Sequence, residues 1–148
     1  MKLVIQRVAE AQVRVNGTIV GQIGPGLLIF LGIGQGDDRP TADKLIQKIL
    51  QLRIFEDTEG KMNLAAAEVG AAFLVVSQFT LYGDLRKGRR PSFDAAAKPE
   101  EARELYEYFV ARLKEEGVAV ETGEFGAMMD VGLINDGPVT FILDSKDF

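Results

Sequence analysis

The residue pattern predicts an α+β domain: a curled, barrel-like antiparallel or mixed sheet with two main helices packed on it. Three observations predict it. Strand-like stretches outnumber helical ones. Several are joined by tight turns, Asn16-Gly17 being the clearest. The regular strand–helix alternation of a doubly wound parallel sheet is missing. At 148 residues and 47% apolar, the chain suits one domain, residues 1–148, with enough apolar side chains for a real core.

The elements follow in order. Lys2 to Val8 alternates apolar and polar and reads as a strand. Gln12 to Val15 and Thr18 to Ile23 flank Asn16-Gly17 as a hairpin. Gly24-Pro25-Gly26 is a turn, and Leu27 to Ile33 is a continuous apolar run, a strand buried on both faces. Pro40 suits the first turn of a helix, with Asp38 or Arg39 just outside it. Leu45, Ile46, Ile49, Leu50 and Leu52 give that helix its apolar stripe. Ile54 to Glu56 is a strand, Asp57 to Gly60 a turn, and Ala65 to Glu68 a brief helical turn. Phe73 to Phe79 is a buried strand, and Gly83 to Lys98 is loop. Pro99 to Glu116 is the clearest helix, stopped by Gly117. Val118 to Thr122 alternates as a strand. Met128 to Ile134 and Val139 to Leu143 are the last two strands, set around a Gly-Pro turn. Asp136-Gly137 is a strong hairpin signal. Yet Pro138 stands where the returning strand should begin, and proline cannot donate to a ladder. Either the turn ends at a sheet edge, or the Gly-Pro unit is itself a working part.

Composition narrows the chemistry. With no cysteine there is neither a disulfide scaffold nor thiol chemistry. With no histidine, Ser-His-Asp and Cys-His mechanisms are excluded, and a zinc site lacks its usual ligands. A zinc site is therefore not expected. Proton chemistry falls to carboxylates, lysine, tyrosine, the backbone or the substrate. The net charge of −5 argues against wrapping a nucleic-acid duplex, but allows one RNA end to dock on a local patch. No run of 18 apolar residues and no leader pattern is present, so a soluble, cytoplasmic protein with no membrane partner is expected.

Three stretches invite a functional reading. Gly32-Ile33-Gly34-Gln35-Gly36 lies between a strand and a helix, but the nucleotide fingerprint needs glycine where Asp37 stands. A carboxylate there would repel a pyrophosphate, so the stretch reads as a connecting loop. Residues 83–93 hold Arg86, Lys87, Arg89 and Arg90 against the single acid Asp84, a local net charge of +3 in an acidic chain. Gly88 and Pro91 shape this loop, which is a candidate for phosphate contact. Residues 73–81, FLVVSQFTL, run a buried strand straight into Ser77, Gln78 and Thr80. Buried polar groups need partners, so these either satisfy one another at the strand end or form a pocket floor. Thr80 has no histidine to activate it as a nucleophile, whereas backbone N–H groups can serve as an oxyanion hole without any base. The acidic side chains are scattered, with no pair spaced for acid–base work. Met128-Met129 reads more readily as core than as a cofactor contact.

Ser77-Gln78-Phe79-Thr80-Leu81-Tyr82, Gly88-Arg89-Arg90-Pro91-Ser92-Phe93 and Asn135-Asp136-Gly137-Pro138-Val139-Thr140 occur in a fixed order, after an opening Gln6-Arg7-Val8 and the Gly26-Leu27 strand start. Together they closely resemble the D-aminoacyl-tRNA deacylases, over nearly the whole chain. The resemblance implies a cofactor-free homodimer of the deacylase-type fold. It implies hydrolysis of the ester between a D-amino acid, or mischarged glycine, and the 3′ end of tRNA. Ser77, Gln78, Phe79 and Thr80 would line the site, with the backbone N–H groups near Phe79 and Thr80 holding the carbonyl. The adenosine 2′-hydroxyl would help to place or activate water, and Thr80 Oγ as nucleophile is the alternative. A cis Gly137-Pro138 unit of the partner subunit, with Asn135 and Met129, would screen the α-carbon and exclude L side chains. Arg86, Lys87, Arg89 and Arg90 are candidates for acceptor-end phosphates. Two competing classes are a non-catalytic dimeric binding module and an RNA-independent D-amino-acid esterase.

Overall fold

The computed structural model describes residues 1–148, in ten main elements. They run β1 (Lys2–Val15), β2 (Thr18–Ile23), β3 (Gly26–Gly32), α1 (Arg39–Gln51), β4 (Arg53–Glu56), β5 (Met62–Ala65), β6 (Ala72–Ser77), α2 (Pro99–Glu115), β7 (Val120–Thr122) and β8 (Asp130–Asp144). The main sheet has the order β2-β1-β3-β6-β7, and β8 pairs with the other edge of β1. Pairing is antiparallel around β1 and parallel from β3 through β6 to β7, so the sheet is mixed. It curls until β2 meets β7. A Cβ added at Gly21 would stand 2.1 Å from the Thr122 carbonyl oxygen, so only glycine permits this approach. The expected barrel-like sheet with two helices is thereby borne out. β4 and β5 form a separate two-stranded ribbon, and β5 was not visible in the residue pattern.

β1 explains why the sheet serves two cores. Leu3 and Ile5 point to the large cluster under α1 and α2, with Leu27, Ile29, Phe73 and Val75. Val8, Ala11 and Val13 point to a smaller cluster inside the curl, with Leu28, Leu74 and Val76. A strand changes faces only if its two-residue alternation slips. The slip is a bulge: Val8 pairs with Asn135, but Glu10 pairs with Ile134. The same bulge interrupts the alternation in sequence, which is why Lys2–Val8 and Gln12–Val15 read as two strands when they are one.

The expected hairpin at Asp136-Gly137 is not there. Residues 130–144 form one continuous strand, and both of its halves pair antiparallel with β1. Gln6 pairs with Thr140 and Val8 with Asn135, so Arg7 alone faces four residues, Asp136 to Val139. The Gly-Pro unit is therefore the crest of a wide bulge and not a reversal. The local turn signal loses because β1 offers a ladder on both sides of it.

Both helices start as their residues dictate. Asp38 caps α1, accepting from Thr41 N at 2.9 Å and from its hydroxyl at 2.6 Å, with Pro40 in the first turn. α2 opens on Pro99 and buries Ala102, Leu105, Tyr106, Phe109, Val110 and Leu113. The loop before α1 is a clasp. Asp37 Oδ1 pairs with the buried Met1 ammonium at 2.6 Å, and Oδ2 accepts from Gly34 N at 2.7 Å. The ammonium also donates to Ser145 Oγ at 2.8 Å, just beyond β8. This carboxylate closes the loop, in accord with the connecting-loop reading.

Asp37→Ala would strand the buried ammonium without its counter-charge. A loss of about 3 kcal/mol in unfolding free energy is expected, since removing one partner of a buried pair is costly. Urea unfolding of the variant against the parent measures it, and Asp37→Asn should recover part of the loss through its remaining acceptor.

Candidate active site at the end of β6

β6 lies between β3 and β7 and is buried over Phe73–Val76, which is why it reads as an unbroken apolar run. Its ladder ends when Gln78 N donates to the Leu31 carbonyl at 2.8 Å. The chain then tightens into one 3-10 turn, Phe79–Tyr82. The first residues of such a turn have no acceptor inside it. Gln78 N is taken by β3, so the orphan donors are the backbone N–H groups of Phe79 and Thr80. They sit side by side at the end of a rigid strand.

A cavity of about 700 Å³ opens at this point. Ser77, Gln78, Phe79 and Thr80 line it, together with Met129, Phe93 and Phe125, and most of its wall is apolar. The Thr80 hydroxyl accepts from Gln78 Nε2 at 2.5 Å, and no carboxylate, lysine or tyrosine hydrogen-bonds to it. Threonine is therefore held in place but not deprotonated. No three acidic side chains converge to hold a metal ion. The chemistry available is two backbone donors at a strand end, one oriented amide and a mostly apolar wall.

The basic loop joins the cavity through one aromatic contact. Phe79 and Phe93 meet edge to face, with ring centroids 4.9 Å apart. Asp84 and Ser92 close the loop with backbone bonds of 2.7 and 3.1 Å. Arg86 is already engaged: Nε and Nη2 donate to the Asp84 carboxylate at 2.9 and 2.7 Å. That guanidinium holds the Asp84 carboxyl down at about 2, so Asp84 stays ionised at neutral pH. Lys87, Arg89 and Arg90 take part in none of the ion pairs of the chain. They do not line the cavity, nor does Arg86.

Asn135, Gly137 and Pro138 lie elsewhere. They belong to the β8 bulge and do not line the cavity of their own chain. The Gly137–Pro138 peptide bond is cis, and both residues are exposed. Asn135 pins the base of the bulge, donating from Nδ2 to the Arg7 and Val139 carbonyls, both at 2.9 Å. Gly137 has φ +131°, and a Cβ there would stand 2.6 Å from Val139 Cγ2. The structure thus gathers Ser77, Gln78, Phe79, Thr80 and Met129, and sets Asn135, Gly137 and Pro138 on a separate, well-held crest.

Arg7 is what holds that crest, and it was quoted in the sequence without a task. It is 4% exposed. Its Nη1 donates to the Ile54 carbonyl at 2.7 Å, and Nε donates to the Asp136 carbonyl at 3.2 Å. Asp136 Oδ2 lies 3.2 Å from Nε, and Glu56 Oε1 lies 3.6 Å from Nη2. A signal was available: on the alternation of Leu3 and Ile5, position 7 points inward, where a lone arginine demands acceptors.

Arg7→Ala should cost about 2 kcal/mol of stability, mainly by leaving the buried Ile54 carbonyl without its charged donor. Arg7→Lys should recover little, because an ammonium cannot fork between Ile54 and Asp136. Thermal unfolding of both variants checks the pair. Gly137→Ala should also lower stability, since both its φ and Val139 oppose a side chain; the same scan reads it.

The family described as D-Tyr-tRNA(Tyr) deacylase matches residues 4–144. A "D-aminoacyl-tRNA deacylase" of Koribacter versatilis is 61% identical over 146 residues, covering 99% of this chain and 98% of that protein. One of Thermus aquaticus is 59% identical over 147 residues, with 99% and 97% covered. A solved structure titled "c-Myc DNA Unwinding Element Binding Protein" superposes with a TM-score of 0.91 at 38% identity, over 97% of this chain and 98% of that one. Another, titled "Structural Analysis of a probable eukaryotic D-amino acid tRNA deacylase", gives 0.76 at 20% identity, over 96% and 97%, and shares the fold.

Proposed function

The chain belongs to the D-Tyr-tRNA(Tyr) deacylase family, and on that premise we propose how it cleaves the ester joining a D-amino acid to the terminal adenosine of tRNA. The carrying observation is the pair of orphan backbone N–H groups, of Phe79 and Thr80, at the cavity end of β6. An ester carbonyl placed there becomes an oxyanion hydrogen-bonded to preorganised donors as water adds to its carbon. Collapse expels the 3′-oxygen, which takes the proton, and leaves a free amino acid and an intact tRNA. No histidine is needed. The neighbouring 2′-hydroxyl of the substrate would orient the water, and Gln78 the amino acid. Thr80 Oγ as nucleophile lacks a base in this geometry.

Selection by handedness is assigned to a second copy of the chain. β8 pairs only with β1, so its outer edge is free along the strand, and Ile134, Phe141 and Ile142 are exposed beside it. Such an edge is a pairing surface, and a two-fold dimer would use it twice. The crest fixed by Arg7 and Asn135 would then reach the partner's cavity, since it does not serve its own. Gly137 and Pro138 would offer backbone and no side chain beside the α-carbon, a wall that stops an L substituent and passes a D substituent or the hydrogen of glycine. Met129 would bound the same pocket. Lys87, Arg89 and Arg90 would meet acceptor-end phosphates, with Arg86 serving chiefly to hold the loop. The reaction needs no cofactor and belongs where charged tRNA is, in the cytoplasm.

Deacylation of D-tyrosyl-tRNA and L-tyrosyl-tRNA, with a chelator present, tests the reading. Loss of the D ester alone is expected. No turnover of either by folded dimer favours a binding module, and equal turnover of esters lacking RNA favours a plain esterase. Thr80→Ala should keep kcat/KM within about tenfold of the parent, under about 1.4 kcal/mol of transition-state stabilisation. A collapse of activity with RNA binding intact would instead revive Thr80 as nucleophile. Pro138→Ala should raise L-ester cleavage relative to D.

A further inference from the structure

We propose that Arg103 binds the phosphodiester preceding the terminal adenosine of the substrate, at the cavity rim. The inference rests on the deacylase reading and adds a residue to it. Arg103 is exposed on α2, with Glu100 three residues before it and Glu107 four after. Those are the spacings at which helical ion pairs form. Arg112 uses them on the same helix, reaching Glu115 at 2.5 Å and Glu116 at 3.3 Å. Glu104 is drawn across to Arg39 at 3.5 Å. Arg103 forms no ion pair at all.

Its guanidinium lies instead over the Phe125 ring, 5.0 Å from the centroid. A Cβ placed at Gly126 would be 4.0 Å from its Nη2. Phe125 and Gly126 both line the cavity. The platform is firm, because Phe125 packs on Tyr106 at 5.7 Å, and the Tyr106 hydroxyl donates to the Val75 carbonyl of β6 at 2.7 Å. Arg103 is thereby held relative to the strand that carries the orphan N–H groups.

The chemistry then selects the ligand. A guanidinium held over an aromatic ring and without an ion-pair partner keeps N–H donors available, and their fork matches a phosphate. No cation lines the cavity itself. An aminoacyl-adenosine seated there leaves its nearest phosphate at the rim, where Arg103 stands.

The test compares two substrates: D-tyrosyl-tRNA, and the D-tyrosyl ester of adenosine, which has the 2′-hydroxyl but no phosphate. In Arg103→Ala the ratio of kcat/KM on tRNA to kcat/KM on the nucleoside ester should fall about tenfold, mostly through KM. The slope of log(kcat/KM) against log salt on tRNA should shrink by about one, the signature of one lost phosphate contact. Arg103→Lys should restore part of both. An unchanged ratio and slope would overturn the proposal; so would an equal loss on both substrates, which would mean that Arg103 only supports Phe125. If the parent protein cleaves neither substrate, the deacylase reading itself falls, a result plainly different from these.

Discussion

One buried guanidinium organises this end of the molecule. Arg7, on β1, ties the β4 strand to the β8 bulge. On one side it takes the carbonyl of β4, and on the other it takes both the carbonyl and the carboxylate of Asp136 on the β8 bulge. Asn135 completes the frame from beneath, bonded to the Arg7 and Val139 carbonyls. A bulge of four residues opposite one would ordinarily be a loose loop. Here each side of it is tied to a group that cannot move without leaving a polar atom buried and unpaired. The exposed crest at Gly137 and Pro138 can therefore be rigid while touching little of its own chain.

Much of this was legible in the residues, and the failures share a cause. Both helices announced themselves through proline in the first turn and an apolar stripe, with an Asp38 cap starting α1 and Gly117 stopping α2, because those signals are local and nothing competes with them. The polar end of β6 was legible as either a local hydrogen-bonded cluster or a pocket floor, and the structure has both: Gln78 bonds Thr80, and both line the cavity. The Asp136-Gly137 turn was misread because its local preference meets a long-range competitor, a β1 edge that both halves of β8 can pair with. β1 was divided in two because a bulge breaks the alternation by which strands are recognised. The partners of Asp37 and Arg7 were hidden because they are far away in sequence: Met1 for the first, Ile54 and Asp136 for the second.

The absence of histidine and cysteine is compatible with hydrolysis because the chain places backbone where side chains are lacking. The donors come free at a strand end through the ordinary geometry of a 3-10 turn, at no cost in titratable groups. The cations are divided by their neighbours rather than by their sequence spacing. Arg86 is held by Asp84, Arg112 by the acids around it, and Arg7 by the fold, which leaves Lys87, Arg89, Arg90, Lys98 and Arg103 without ion pairs on segments bordering the cavity.

β1 has a consequence for how the molecule comes apart. It pairs with β2, β3 and β8, and its side chains enter both apolar clusters. Neither layer can open while the other stays shut, because opening either one removes the strand they share. Amide protons of β1 should accordingly exchange with solvent only when the whole chain unfolds.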